Sequence, residues 1–303
     1  GLSTAGYWIT SSGARKGLIE KVQSVSLPGA LSKQIVNVTM PITITDNDCG
    51  TDKGISLGID DMDVIDRFTA KQFKVGAKSL PKSTLITARL KAELKDSGVS
   101  KVVVRSTMKC TKSSGVCAHC YGMTAGGKLL EKGTNVGVIA GQAIGERSTQ
   151  LSIVGGFERV SQIVKMPAKL PGQATLAATS GVVTRVRASP SGGYDVQMGS
   201  ATAYVPGNLE LKVKKGDKVR KGDALSSGPI NPRQLLEVAD MDRVQRYLSD
   251  ELHGAYASEG IKRRNVEVLI RSLTNLAVVD DPGDVPGFIR GDVIQASHAN
   301  GLN

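Results

Sequence analysis

The sequence predicts an α+β chain built of several modules, and three observations predict it. Apolar residues recur at helical spacing near the amino terminus. Four cysteines bracket a stretch of short, strand-like runs. Farther on, β-rich runs are cut by Pro/Gly turns before the chain returns to helix. With 303 residues and 40% hydrophobic content the chain can bury a core, and its length suits two or three domains.

From Tyr7 to Val38, the residues Ile9, Leu18, Val22, Val25, Leu31, Ile35 and Val38 recur at mixed three- and four-residue steps, which predicts a long helix. Pro28-Gly29 interrupts it. Proline removes a backbone donor and crowds the preceding turn, so a kink or local unwinding is expected there, with Gly13 and Gly17 as further soft points. Residues 41–125 alternate strand-like runs, Ile42–Thr45 and Lys101–Arg105, with a helix around Thr87–Lys95 that ends near Gly98.

After the Lys132-Gly133 turn, Thr134 or Asn135 can cap a helix carrying Val136, Ile139, Ala140, Ala143 and Ile144 towards Leu151, with Ser148 as a second place to bend. Beyond Pro171-Gly172, Gly181–Val186, Tyr194–Met198 and Leu209–Val213 read as strands separated by Pro-Ser-Gly-Gly, Pro-Gly and Gly-Asp turns. That is the pattern of a small barrel or sandwich. Helix is expected from about Pro232 to Glu259, then a mixed segment over Val266–Ala277 and a Pro/Gly-rich β stretch.

Thirty-nine Lys and Arg against 28 Asp and Glu leave a charge of +11. This favours a polyanionic partner, nucleic acid first, with a merely solubilising surface as the equal alternative. Only 4% of residues are aromatic, which argues against a surface that stacks bases, so contacts with nucleic acid should be to its backbone. No apolar run is long enough to cross a bilayer, and the start, Gly1-Leu2-Ser3, lacks a signal-peptide layout. A soluble globular chain is expected, beginning mid-protein because no initiator Met is present.

Cys49, Cys110, Cys117 and Cys120 are all the cysteines, the last three spaced Cys-x6-Cys-x2-Cys with Gly115 in the loop. A Cys-x2-Cys knuckle lets two thiolates wrap one face of a tetrahedral ion, and two more complete it. A redox pair at Cys117/Cys120 would leave the other two unexplained, and disulfides are disfavoured in a basic chain without a secretion signal. One structural Zn2+ is therefore the preferred reading, with free buried thiols the remaining alternative. His119, between two ligands, is expected as an exposed knuckle side chain.

Three clusters in order, Gly13–Leu18 with Gly29–Lys33, Asp46–Thr51 with Cys110 and Gly115–Gly122, and Gly137–Ser152, resemble the beta-prime-type large subunit of multisubunit DNA-directed RNA polymerases. Gly13-Ala14-Arg15-Lys16-Gly17-Leu18, followed by Gly29-Ala30-Leu31-Ser32-Lys33, resembles that family's bridge helix, which crosses the cleft beside the active centre. Asp46-Asn47-Asp48-Cys49-Gly50-Thr51, Val102–Ser106, Cys110 and Gly115–Gly122 are similar to its second zinc module. Gly137–Glu146, continuing to Thr149-Gln150-Leu151-Ser152, is similar to the first arm of its trigger loop. A looser likeness continues through Phe157–Val160, Ser180–Val183, Lys215-Gly216-Asp217, Lys221-Gly222-Asp223 and Gly228-Pro229 to Arg264–Arg271. The resemblance implies five modules: a kinked bridge-type helix over 1–40, a zinc-binding module over 41–130, trigger-loop helices over 131–170, a β-rich barrel or sandwich over 171–230, and a helical and mixed C-terminal segment over 231–303.

The resemblance also implies roles. Arg15, Lys16, Lys21 and Lys33 become candidates for phosphate contacts, against the alternative of pairing with acidic neighbours. Lys21-Val22 stands where the family has a small Thr-Ala pair, which puts the local stacking in doubt. Gln150 aligns with a glutamine near the substrate ribose, and Ile153 replaces a Met against the base. The Arg and His that face the triphosphate are missing after Val154, as is the loop tip. Two explanations stay open, a site closed in another way and a lid segment omitted from this sequence; the second is favoured because such lids order mainly around substrate.

The metal motif Asn-Ala-Asp-Phe-Asp-Gly-Asp is absent, so no catalytic Mg2+ ligands are assigned in this chain; Mg2+ would be bound by another chain, and isolated this one should not make RNA. Asp60-Asp61-Met62-Asp63 reads as a solvated turn, and Lys212–Asp223 as an exposed hairpin. The implied partners are the N-terminal beta-prime part, beta parts, DNA template, RNA product and NTPs, with no membrane. Within the family, a split subunit of a large-bacteriophage polymerase fits best, placing the chain in the bacterial cytoplasm with virion packaging as an option; a plastid or cyanobacterial split subunit ranks lower. The alternative from another class is a non-catalytic zinc-ribbon protein that binds nucleic acid or scaffolds transcription factors.

Overall fold

The computed structural model describes residues 1–75, 78–154, 156–297 and 299. The chain forms two compact units, residues 1–158 with 253–303, and residues 159–252.

The first unit begins with α1 (Thr4–Thr39), where the Ser3 hydroxyl accepts the Gly6 amide at 3.1 Å. Of the kink or local unwinding expected at Pro28-Gly29, the unwinding is not there: helix continues through both residues. One proline forfeits one hydrogen bond, and the turns just beyond it are pinned by burial of Leu31, Ile35 and Thr39. The front of α1 is bare by contrast, with Trp8 and Leu18 each 65% exposed.

Short strands follow. β1 (Ile44–Asp46) pairs in parallel with β8 (Val116–Cys117), and β2 (Ile55–Gly58) pairs antiparallel with β7 (Lys101–Val104). Between them, β3 (Arg67–Phe68) pairs with β6 (Leu85–Ile86), and β4 (Phe73–Val75) with β5 (Lys78–Leu80). Alternation along β7 sends Val102 and Val104 into a core with Leu57, Ile59, Val64, Ile86 and Leu94. The last of these lies on α2 (Ala88–Asp96), which starts where expected because the Thr87 hydroxyl accepts the Leu90 amide at 3.2 Å.

α3 (Ala118–Tyr121) is one turn, and α4 (Val136–Val154) is capped by Asn135, whose Oδ1 accepts the Val138 amide at 2.8 Å. α4 lies on the back half of α1 through a glycine stripe. A Cβ at Gly137 would stand 1.8 Å from the Thr39 carbonyl oxygen, at Gly141 2.7 Å from Thr39 Oγ1, and at Gly145 2.1 Å from Ser32 Oγ. Spaced by four, these three positions let two helix backbones approach where any side chain would hold them apart.

The second unit takes in most of α5 (Phe157–Lys165), with Val160 and Ile163 buried, and then a four-stranded antiparallel sheet. Its order is β11 (Ala201–Val205), β10 (Tyr194–Met198), β9 (Gly181–Ala188), β12 (Lys218–Val219). Where a barrel or sandwich is expected, the described residues form this four-stranded sheet with bridges at Leu176–Ala224 and Leu211–Ser226, and β11 was not anticipated. Leu209–Val213 is not a strand: it contributes one bridge, Leu211 to Ser226, because turns on both sides limit its pairing. Nor is Lys212–Asp223 a free hairpin. Asp217 Oδ2 accepts the Lys214 amide and Asp223 Oδ2 the Arg220 amide, at 2.9 and 2.8 Å, and the strand between these turns joins β9. α6 (Pro232–Val238) and α7 (Met241–Ala255) supply the expected helix.

Back in the first unit, the mixed segment expected over Val266–Ala277 is helix, α8 (Arg263–Thr274), passing into strand at Leu276. Its Val-Glu-Val-Leu-Ile run has strand character, but packing wins: Val266, Val268, Leu269 and Ile270 are all fully buried. β13 (Leu276–Val278) and β14 (Val293–Gln295) pair antiparallel after it. Among the described residues no helix is long and apolar enough to cross a membrane.

Candidate metal centre and adjoining helices

Parallel pairing of β1 and β8 brings together two segments that carry the cysteines. Cys49 lies in the loop after β1; Cys117 ends β8 and caps α3, on which Cys120 sits; Cys110 closes a 3-10 turn over Thr107–Lys109. Gly115 makes the knuckle possible. Its φ is +62°, and a Cβ would lie 2.3 Å from the Thr43 carbonyl oxygen.

All four Sγ atoms lie within 4.8 Å of one another, and Cys49 Sγ is 3.6 Å from Cys120 Sγ. A tetrahedral ion with metal–sulfur bonds of about 2.3 Å sets sulfur–sulfur edges of about 3.8 Å, so the arrangement fits one metal ion. The cysteines are free thiols, three of them buried. Without a cation the four must share protons. Hydrogen bonds from the Cys110, Cys117 and Cys120 thiols pull Cys49 far below the ordinary thiol range, and Cys117 above all brings Cys110 to about 6. Cys117 and Cys120 are pushed up, each being held as a donor, first of all to Cys110. A bound cation relieves that competition.

Residues that sequence reasoning missed hold this module. Arg271, on α8, donates to the carbonyls of Thr107, Cys110 and Lys112 at 2.9, 2.9 and 2.8 Å, fixing the loop that presents Cys110. Arg67 and Glu267, 1% and 0% exposed, form a bidentate pair at 2.8 and 2.7 Å, and the Ser106 hydroxyl donates to the same carboxylate at 2.7 Å. Arg105 pairs with Asp48 and donates to the Thr51 carbonyl, tying the Cys49 loop to β7. Their partners lie tens to hundreds of residues away, and no local pattern announces them.

Two expectations need correction. His119 is not an exposed knuckle side chain: it stacks on Phe68 with ring centroids 4.2 Å apart, its Nδ1 3.4 Å from Asp48. Nor is Asp60–Asp63 simply a solvated turn. Asp61 caps a 3-10 turn, while Asp63 is buried, 3.0 Å from His253 Nε2 and accepting the Arg263 amide at 3.2 Å. Burial pulls the Asp63 pKa upward, but these two partners and Arg67 outweigh it and leave it below the ordinary value.

The residues singled out on the helices fall into two groups. Arg15, Lys16, Lys21, Val22 and Lys33 are all exposed on α1. At 100° per residue Arg15, Val22 and Lys33 share one stripe, opposite Leu31 and Ile35, spread over about 27 Å of helix. Gln150 is exposed near the end of α4, its Oε1 accepting from Arg147 at 2.8 Å. Ile153 lies in α4, but its side chain is outside the described residues. Just before them, the Ser148 hydroxyl bonds to the Ile144 carbonyl at 2.9 Å and to the Tyr256 hydroxyl at 2.7 Å. Helix is unbroken there.

The family model for RNA polymerase Rpb1, domain 5 matches residues 1–157, which hold α1, the cysteine module and α4. The chain belongs to the Rpb1 domain 5 family. Over its full length it is 32% identical to DNA-directed RNA polymerase subunit beta' of Mycoplasma pneumoniae, covering 26% of that protein. The same subunit of Limosilactobacillus reuteri is 32% identical over 99% of the chain, and that of Streptococcus agalactiae 33% over 99%. The chain spans about a quarter of the length of these relatives. The alignment with the M. pneumoniae subunit runs over 339 positions against 303 residues here, so the relative carries residues within the matched span that this chain lacks.

Proposed function

We propose that this chain is the C-terminal beta-prime portion of a multisubunit DNA-directed RNA polymerase and lends three parts to template-directed RNA synthesis. α1 is the bridge-type helix, the end of α4 is a trigger-loop arm carrying Gln150 and Ile153, and Cys49, Cys110, Cys117 and Cys120 hold one structural Zn2+. On this reading the five modules 1–40, 41–130, 131–170, 171–230 and 231–303 follow the order of the family. The observation that carries it is the packing of α4 on the back half of α1 through Gly137, Gly141 and Gly145, while the front half stays bare. A helix anchored at one end and uncovered at the other suits a strut that crosses a cleft made by other chains.

The division of labour follows from the side chains. Arg15, Lys16, Lys21 and Lys33 position a nucleic-acid backbone by charge without reading bases. Gln150 hydrogen-bonds the incoming nucleotide's sugar. Zinc, when bound, replaces the proton competition among the four thiols with a closed tetrahedral node. Mg2+ belongs to carboxylates of another chain, where it would clamp attacking and leaving oxygens.

Assembly of this chain with the N-terminal beta-prime part and beta parts on a DNA template tests the proposal: NTP-dependent RNA synthesis should require all of them. A chain that fails to join such an assembly and binds DNA alone would restore the zinc-ribbon alternative, which does not account for the family match over 1–157. Origin as a split bacteriophage subunit is part of the proposal, to be checked by copurifying chains bearing Asp-Phe-Asp-Gly-Asp.

A further inference from the structure

We infer that Arg147 is a positioning residue that sets which atom of the Gln150 amide faces the substrate. The inference rests on the trigger-arm reading of α4. Arg147 and Gln150 are one helical turn apart, and Arg147 Nη1 stands 2.8 Å from Gln150 Oε1. An amide can be turned either way, but a guanidinium has only donors, so the atom facing it must be oxygen. Nε2 is thereby turned outward on an exposed side chain, and Gln150 offers a hydrogen-bond donor. Its ligand atom is then an acceptor, such as a sugar hydroxyl oxygen.

What holds Arg147 comes from the segment between α7 and α8. Glu259 Oε2 lies 3.9 Å from Arg147 Nη1, and its side chain is only 15% exposed. Beside them, Ser148 and Tyr256, 0% and 1% exposed, share their 2.7 Å hydrogen bond. Burial pushes the Tyr256 hydroxyl up to about 12, so it stays protonated near neutrality. Ser148 thus fixes the rotation of the α4 turn, Glu259 holds the guanidinium, and Arg147 fixes the amide. Residues 256–259 act on Gln150 without touching the substrate.

The test uses the assembled polymerase and compares incorporation of an NTP with that of its 2′-deoxy analogue. Arg147→Met keeps the aliphatic stem and removes every donor; it should cut discrimination between the two about fivefold, as expected for one mis-set hydrogen bond, mainly through KM for the NTP. Arg147→Lys, still only a donor, should retain most of it. Gln150→Glu keeps the acceptor for Arg147 and loses the outward donor, so it should behave like Gln150→Ala. If Arg147→Met discriminates like the parent while Gln150→Ala does not, the positioning role is wrong and the trigger-arm reading stands. If Gln150→Ala also leaves discrimination unchanged, the trigger-arm reading itself falls, and the inference with it. Unchanged zinc content and thermal stability in each variant separate these outcomes from misfolding.

Discussion

The cysteine module and the front half of α1 belong to one compact unit, yet they are determined in opposite ways. Around the cysteines the charged side chains are held by partners within the chain: Arg271 on three carbonyls, Arg67 on Glu267, Arg105 on Asp48. Along the front of α1, Tyr7, Trp8, Ile9, Leu18, Ile19 and Val22 are apolar and uncovered. Isolated apolar residues on a surface need no explanation, but six within sixteen positions of one helix do. The first region is specified by its own sequence. The second is left uncovered by the described residues of its own chain.

The contrast can be broken most forcefully at the metal. Cys117→Ser, or stripping by a chelator, should cost upwards of about 3 kcal/mol and collapse the module, since binding energy at such a site is folding energy. Elemental analysis should find one zinc per chain; a metal-free chain of equal stability would refute the claim. Next comes the buried pair: Glu267→Ala strands a guanidinium and should cost about 3–5 kcal/mol by denaturant titration, whereas Arg67→Met with Glu267→Leu should lose far less. Gly137→Ala, whose methyl would strike the Thr39 carbonyl, should cost about 1–3 kcal/mol by the same measurement.

Two smaller effects sharpen the comparison. The Asp63 pKa is lower folded than unfolded, so its contribution is full above about pH 4–5 and is lost as pH falls through the folded value. Asp63→Asn should flatten that acid limb of stability. On α1, Trp8→Ala or Leu18→Ser should change the stability of the isolated chain by less than about 0.5 kcal/mol while weakening assembly with the other subunits, read as copurification yield. A large stability loss from either would mean that the front of α1 is held by its own chain.

What could be read from the sequence follows the same division. Local chemistry was legible: Thr87 and Asn135 announced the starts of α2 and α4, and the Gly115 turn with its cysteines announced a cluster that the fold indeed assembles. Pairings distant in sequence were not. Glu267 sits 200 residues from Arg67, and no local pattern pairs the two. Asp63 and His119 looked like surface groups because His253 and Phe68, which cover them, are near only in space. Pro28 does not unwind α1, since burial beyond it outweighs one lost hydrogen bond.

The unit holding the cysteines is discontinuous, with residues 159–252 inserted between its two parts. During synthesis, the ribosome delivers all four thiols by residue 120, long before Glu267 and Arg271 emerge. A metal ion would therefore meet a half-framed loop, and the inserted unit can complete its own core before its host does. Glu267 and Arg271 follow the cysteines only after the whole inserted unit, so the metal module is framed by residues made well after its ligands.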